Sequence, residues 1–238
     1  MQHKLVTEPD ADSLATRAAR FVTDRARAAV AGHGTFTFAV SGGKTPWAMF
    51  AELARHDLPW ALVEIYQADE RVAPDGDAAR NLTRLYQTLG SLPAAVKPMP
   101  VTSDDLETAA AAYASQLPAR FDLVHLGLGA DGHTASLVPG DPVLEVTGRL
   151  VAVTRPYQGY RRMTLTYPAL ARAAEILWLV AGADKHEALA RLLAGDRSIP
   201  AGRVEAGRSV ILADASAVQG SAPGACDKTT GDDPRRAL

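Results

Sequence analysis

Strand-like and helical segments alternate along this 238-residue chain, and the alternation predicts an α/β fold, a mostly parallel sheet layered with helices. Two further observations agree. Polar or glycine-rich sequence follows three of the strand candidates, at 41–46, 69–71 and 127–133, and open α/β sheets hold ligands outside the carboxyl ends of their strands. A chain of this length also removes roughly three-quarters of its unfolded surface from water, so it can keep a core without a metal or a disulfide.

In order, Asp12 to Ala31 reads as a helix, with Leu14, Ala18, Phe21, Val22 and Ala29 near one face. Thr35 to Val40 reads as a strand, ended by Gly42 and Gly43. Pro46 to Arg55 suits a helix with proline in its first turn. Val63 to Ala68 is a short strand running into Asp69-Glu70-Arg71, and helices are expected near Asn81 to Leu89 and Asp104 to Leu117. Phe121 to Gly129 looks like a central buried strand. Leu150–Thr154, Met163–Thr166 and Ile176–Val180 are later strand candidates, Lys185–Leu193 a helix, and Val210–Leu212 a last strand. One domain is expected over 1–218. From 219 the composition shifts to Gly, Ser, Pro, Asp and Arg, which predicts a disordered tail through 238.

Composition narrows the function classes. The formal net charge is −2, without the basic excess of a protein that coats nucleic acid. Cys226 is the only cysteine, so an intramolecular disulfide and a cysteine-based zinc cluster are excluded. The first residues lack the apolar core of a signal peptide. The most apolar run, Ile176 to Gly182, is far shorter than the roughly 20 residues that cross a bilayer. The expectation is a soluble, cytoplasmic and monomeric protein with no membrane or nucleic-acid partner.

The motifs then carry the chemistry. Ser41-Gly42-Gly43-Lys44-Thr45-Pro46 lies between a strand and a helix, where close backbone approach and free N–H groups attract an anion such as phosphate; a simple tight turn is the plainer reading. Gly43-Lys44-Thr45 ends like a P-loop, but Phe38 occupies the position of the first required glycine, so ATP and GTP are rejected. Gly127-Leu128-Gly129-Ala130-Asp131-Gly132 satisfies the dinucleotide pattern G-x-G-x-x-G. Pro139, Gly140 and Pro142 leave no room for the long helix that must follow, and no acidic residue near 152 is placed to hold a ribose. No cofactor is expected.

The continuation Asp131-Gly132-His133-Thr134-Ala135-Ser136 is more informative. Imidazole ordinarily changes charge near neutral pH, and one flanked by glycine and carboxylate at a strand end can take a proton from water. A lone histidine is more often structural. His125 is assigned to the core or to a supporting position behind the site, His33 to a solvated loop and His186 to an ordinary helix position. No H-E-x-x-H pair is present, so a metal site is unsupported. Arg71 is a planar clamp for phosphate, or else part of a surface ion-pair cluster. Lys185 and Arg162 are weaker candidates of the same kind.

Taken together, these segments resemble the 6-phosphogluconolactonase family. The likeness runs in order through Ser41–Pro46, Asp69–Arg71, Gly127–Leu137, Arg162–Thr166 and Gly182–Lys185, and it is most specific around His133. It implies a fold shared with the wider glucosamine-6-phosphate deaminase group, a Rossmann-like three-layer sandwich without a nucleotide. It implies a carboxylic ester hydrolase of the oxidative pentose phosphate pathway, opening a sugar-phosphate lactone with His133 as catalytic base. Asp131 is assigned to orient His133. Ser41, Gly42, Gly43, Lys44, Arg71 and Lys185 are assigned to the 6-phosphate, and Arg162 to the phosphate or a sugar hydroxyl. Three positions depart from the family pattern: Lys44 where serine is more frequent, Val138 where phenylalanine is frequent, and Ala79-Arg80 before Asn81. One alternative is an aminosugar-phosphate deaminase-isomerase, which carries a glutamate partner for the histidine where this chain has Val138. The other is a non-catalytic sugar-phosphate-binding protein. No serine lies in a G-x-S-x-G elbow, which favours attack by water over an acyl-enzyme.

Overall fold

The computed structural model describes residues 3–90 and 92–220. In chain order the elements are β1 (His3–Glu8), α1 (Ala11–His33), β2 (Phe36–Val40), α2 (Lys44–Leu53), β3 (Val63–Gln67), β4 (Asp69–Arg71), α3 (Asn81–Leu89), β5 (Ala95–Lys97) and α4 (Leu106–Gln116). They continue with β6 (Leu123–Gly127), β7 (Val151–Val153), β8 (Arg162–Leu165), α5 (Tyr167–Leu170), β9 (Glu175–Val180), α6 (His186–Leu193), β10 (Arg208–Asp214) and α7 (Ala215–Gln219).

Seven strands form one sheet in the order β1-β10-β9-β6-β2-β3-β5, with every neighbouring pair parallel. Parallel neighbours need long crossovers, and helices supply them on both faces. The period-two alternation of the strands sorts their side chains into two cores. Phe36, Phe38 and Val40 of β2 join Leu177 and Leu179 of β9 on one face, against Leu14, Ala18 and Val22 of α1 and Phe50 of α2. Ala39, Ile176, Trp178 and Val180 face the other way, against Tyr113 of α4 and Leu189 of α6. Each large side chain taken fully out of water contributes about 1.5–3 kcal/mol. The result is the three-layer α/β sandwich expected from the sequence.

Helix α1 shows why these residues form helices. Leu14, Ala18, Val22 and Ala26 recur every four positions and are fully buried. Asp10 caps the start by accepting from the Ser13 N–H at 2.7 Å, and Gly34, at φ +90°, closes the end.

The strand order reverses between β2 and β6. From β2 the chain moves outward to β3 and β5, and from β6 it moves the other way to β9 and β10. Connections leaving neighbouring strands in opposite directions open a crevice at their carboxyl ends.

Several local expectations are corrected. Asp69-Glu70-Arg71 does not prolong β3. It opens a second, antiparallel sheet in the order β4-β8-β7. The chain changes sheets at Ala68, whose N–H reaches Val40 O at 2.7 Å and whose carbonyl accepts from Leu165 N at 2.8 Å. Strands β1 and β5 were not anticipated. Helix α2 begins at Lys44, two positions before Pro46. His33 ends α1 rather than lying in a loop, and pairs with Asp122 at 3.0 Å. Lys185 closes a 3-10 turn, with α6 starting one residue later. Gln219, the first residue of the expected tail, ends α7, and 221–238 lie outside the described residues. Among the described residues no helix is long and apolar enough to cross a membrane, and no three His, Cys, Asp or Glu side chains are grouped to hold a metal.

Candidate active site

The crevice at the switch point is a cleft of 670 Å³. Ser41, Gly42, Gly43, Lys44, Arg71, His133, Arg162 and Lys185 all line it, so residues spread over much of the chain meet at the carboxyl ends of β2, β6 and β9. Asp131 stands beside the His133 ring rather than in the wall. A larger groove of 840 Å³ lies at the opposite end of the sheet, beside Arg25, Glu175 and Arg208. Its buried carboxylate, Glu175, is already paired with both arginines, and the histidine in its lining, His3, is engaged through Nδ1 with Ser209 Oγ at 2.7 Å. Chemistry rather than size therefore selects the smaller cleft.

The first wall is the turn between β2 and α2. Gly42 passes so close to the Asn81 amide that a β-carbon there would collide with it. Asn81 is fixed in turn, its Nδ2 donating to Asp69 O at 3.0 Å. Helix α2 starts at Gly43 without a side-chain cap, leaving its first N–H groups open to the cleft with the positive end of the helix dipole. The Ser41 hydroxyl is buried with no hydrogen-bond partner among the described residues, and buried polar atoms are rarely left so.

The second wall is cationic. Arg71 and Arg162 are direct cross-strand partners on β4 and β8. Like charges placed opposite each other in an antiparallel pair repel, and an anion bound between them reverses the sign of that interaction. Neither guanidinium is loose. Arg71 Nη1 donates to Ala79 O at 2.5 Å. Arg162 is buried, its Nε is unpartnered, and its charge is disfavoured by burial but supported by Asp69. Asp69 is itself fully buried. Burial pushes its carboxyl above the usual range, opposed by a 2.7 Å hydrogen bond from Ser136 Oγ and by Arg162. Glu70, between these residues, is no surface group. It accepts from Gln67 Nε2, Arg71 N, Asn81 N and Leu82 N at 2.8–2.9 Å, tying β4 to the start of α3. Lys185 is partly buried and pairs with Asp184 at 2.9 Å.

The third element is the loop after β6. Thr134 Oγ1 reaches back to Gly127 O at 2.8 Å, and Gly129 N donates to His133 O at 2.9 Å, folding the loop tightly on itself. A β-carbon at Gly129 would strike both the His133 ring and the Asp131 carboxylate, so glycine makes room for the pair. Asp131 Oδ1 lies 2.6 Å from His133 Nδ1 and also accepts the His133 backbone N–H at 3.1 Å. Burial raises the Asp131 carboxyl, but these hydrogen bonds and the ring's charge outweigh it and leave the net value below the ordinary one. With Nδ1 engaged, Nε2 has no partner among the described residues and the ring stands in the cleft wall. An imidazole held this way presents its free nitrogen as a base. His125, by contrast, is fully buried with both ring nitrogens unpartnered, and burial lowers it to about 3. It is a core residue.

Sequence reading missed part of this site. Asn81, Asp69, Ala135 and Gln158 also line the cleft. Tyr157 donates its hydroxyl to Asp131 Oδ2 at 3.3 Å, lies under the Arg162 guanidinium and meets the His133 ring edge-on. The only available signal was Gly159, marking a turn between two strand candidates.

Fold and site together define an α/β protein with a cation-walled cleft and a carboxylate-held imidazole at the carboxyl edge of its sheet. The family model for glucosamine-6-phosphate isomerases/6-phosphogluconolactonase matches residues 9–212, and the chain belongs to that family. It is 40% identical over 196 residues to a 6-phosphogluconolactonase of Synechocystis sp., covering 76% of this chain and 81% of that protein. It is 34% identical over 200 residues to one of Nostoc sp., covering 78% and 83%. Among solved structures, a 6-phosphogluconolactonase from Shewanella baltica superposes with a TM-score of 0.80 at 26% identity, over 90% of this chain and 98% of that one.

Proposed function

We propose that this protein is a 6-phosphogluconolactonase, hydrolysing 6-phospho-D-glucono-1,5-lactone to 6-phosphogluconate. The observation that carries the site assignment is the Asp131–His133 pair standing in the same cleft as the opposed Arg71 and Arg162. The substrate has one dianionic end and one activated ester, and this cleft offers a cationic wall and a base.

In the mechanism, His133 Nε2 takes a proton from a water as its oxygen adds to the lactone carbonyl carbon. Asp131 holds Nδ1–H and stabilises the imidazolium that forms. The tetrahedral oxyanion then collapses, the bond to the ring oxygen breaks, and that oxygen receives the proton from His133. Ser41, the open N–H groups at Gly43 and Lys44, Lys185 and the two arginines hold the phosphate. Binding energy from this remote end thereby positions the ester.

The deaminase-isomerase reading finds no support at the position that would need its acid-base glutamate. Val138 is apolar, buried and absent from the cleft wall. A rapid assay on freshly prepared lactone, corrected for spontaneous opening, tests the proposal. His133→Ala is expected to lower kcat by about 10²–10⁴-fold while leaving affinity for 6-phosphogluconate within a few-fold. Turnover by that variant equal to wild type removes His133 as the base, and robust ammonia release from glucosamine 6-phosphate overturns the lactonase reading.

A further inference from the structure

The β7–β8 connection joins the two halves of the cleft through an unbroken series of side-chain hydrogen bonds. Arg162 Nη2 donates to Gln158 Oε1 at 3.4 Å. Gln158 Nε2 donates to the Tyr157 hydroxyl at 3.3 Å, which donates to Asp131 Oδ2 at 3.3 Å. Asp131 Oδ1 then meets His133 Nδ1 at 2.6 Å. The Tyr157 ring is also sandwiched, with the Arg162 guanidinium 5.1 Å from its centroid and the His133 ring 5.6 Å away, edge-on.

We infer that Tyr157 and Gln158 are positioning residues that relay occupancy of the phosphate pocket to the catalytic base. The inference rests on the lactonase reading and extends it to residues outside the motifs that carry the family likeness. Three observations support it. Gln158 has φ +51°, a left-handed conformation that residues other than glycine adopt rarely and that concentrates at functional sites. The turn is clamped into this shape by reciprocal backbone bonds between Tyr157 and Tyr160 at 2.9 and 3.3 Å. Among the described residues the buried Arg162 Nε has no partner, so a phosphate oxygen taking that donor fixes the guanidinium plane, and the Nη2 that meets Gln158 is fixed with it. The middle links are long, at 3.3–3.4 Å, and catalytic hydrogen bonds commonly tighten only when substrate arrives. Burial and the neighbouring Asp131 hold the Tyr157 phenol above its ordinary value, so it remains a donor at neutral pH.

Cutting the relay must lower turnover without loosening the substrate, and it must uncouple the phosphate from the base. The experiment compares wild type, Tyr157→Phe and Gln158→Ala on the phosphorylated lactone, and on unphosphorylated glucono-1,5-lactone with and without inorganic phosphate. Enzyme-free rates are subtracted at every phosphate concentration, and thermal melting confirms folding. Tyr157→Phe keeps the ring beneath Arg162 and loses only the hydroxyl. We expect its kcat to fall about 3–10-fold, the size of one lost hydrogen bond of ordinary strength, with KM within twofold. Wild type is expected to open the unphosphorylated lactone several-fold faster when inorganic phosphate is added, and both variants to lose most of that activation. Unchanged kcat in both variants, a wild type indifferent to added phosphate, or activation that survives in both variants each overturns the relay alone. A wild type inactive on the phosphorylated lactone overturns the lactonase reading and the relay with it.

Discussion

Arg71 and Arg162 face each other across two antiparallel strands, and they are two of the four lysine and arginine side chains that line the cleft, with Lys44 and Lys185. Because the Arg71 guanidinium is held by Ala79 O, it is preorganised for the ground-state phosphate as much as for the transition state. Arg71→Ala is therefore expected to raise KM by about tenfold or more with little change in kcat, measured by steady-state kinetics on the phosphorylated lactone; a change confined to kcat contradicts that role. Gly129 makes the opposite prediction. A single methyl there collides with the base and its carboxylate partner. Gly129→Ala should keep its melting temperature within a few degrees and lose at least tenfold in kcat, since small misplacements of a base are costly. At this scale the sequence was informative because glycine, histidine and arginine announce their chemistry. Tyr157 and Gln158 were not readable, because their roles arise only when a turn brings them against Asp131 and Arg162.

At the scale of elements, short β4 has an importance that its three residues do not suggest. Glu70 at its centre receives hydrogen bonds from β3, from its own strand and from the first turn of α3, and buried Arg80 lies 3.5 Å away. All four hydrogen-bond partners are donors, so both carboxyl oxygens serve as acceptors. Glu70→Gln turns one acceptor into a donor facing donors, and is expected to destabilise the protein by about 3 kcal/mol in urea unfolding and to raise KM through the displaced Arg71. The hydrophobic periods of α1, α3 and α4 located those helices well. What the pattern could not give was the change of sheet at Ala68. A backbone that hydrogen-bonds to Val40 on one side and Leu165 on the other leaves no mark in a string of side chains. The register that sets Arg71 against Arg162 is hidden for the same reason.

For the whole molecule, one acid sensitivity traces to a group in the core. His125 is neutral in the folded protein, lowered by burial to about 3 against 6.5 for the exposed ring. Above pH 6.5 the ring is neutral whether the chain is folded or not, and it adds nothing to the pH dependence. Below that, the unfolded chain binds a proton that the native state refuses, so stability falls as pH drops from about 6.5 to about 3, by up to about 1.4 kcal/mol per pH unit. His125→Leu removes this uptake along with two unpartnered nitrogens. Denaturant unfolding at pH 7 should show no loss of stability, and between pH 6 and pH 4 the variant should lose less than wild type; parallel curves would place the acid sensitivity elsewhere. Function was legible at this scale because the exits of β2, β6 and β9 carry the distinctive sequence, and the parallel order then brings them together.

Strand β1 has one neighbour, β10, and the register sets His3 beside Ser209, 206 positions later in the chain. A ribosome extending the protein at about 5–20 residues per second therefore releases the first strand roughly 10–40 seconds before the segment that will receive it exists. During that interval the strand carries an unpaired backbone edge, so docking of this edge must be a late event, completed only after β10 has been synthesised.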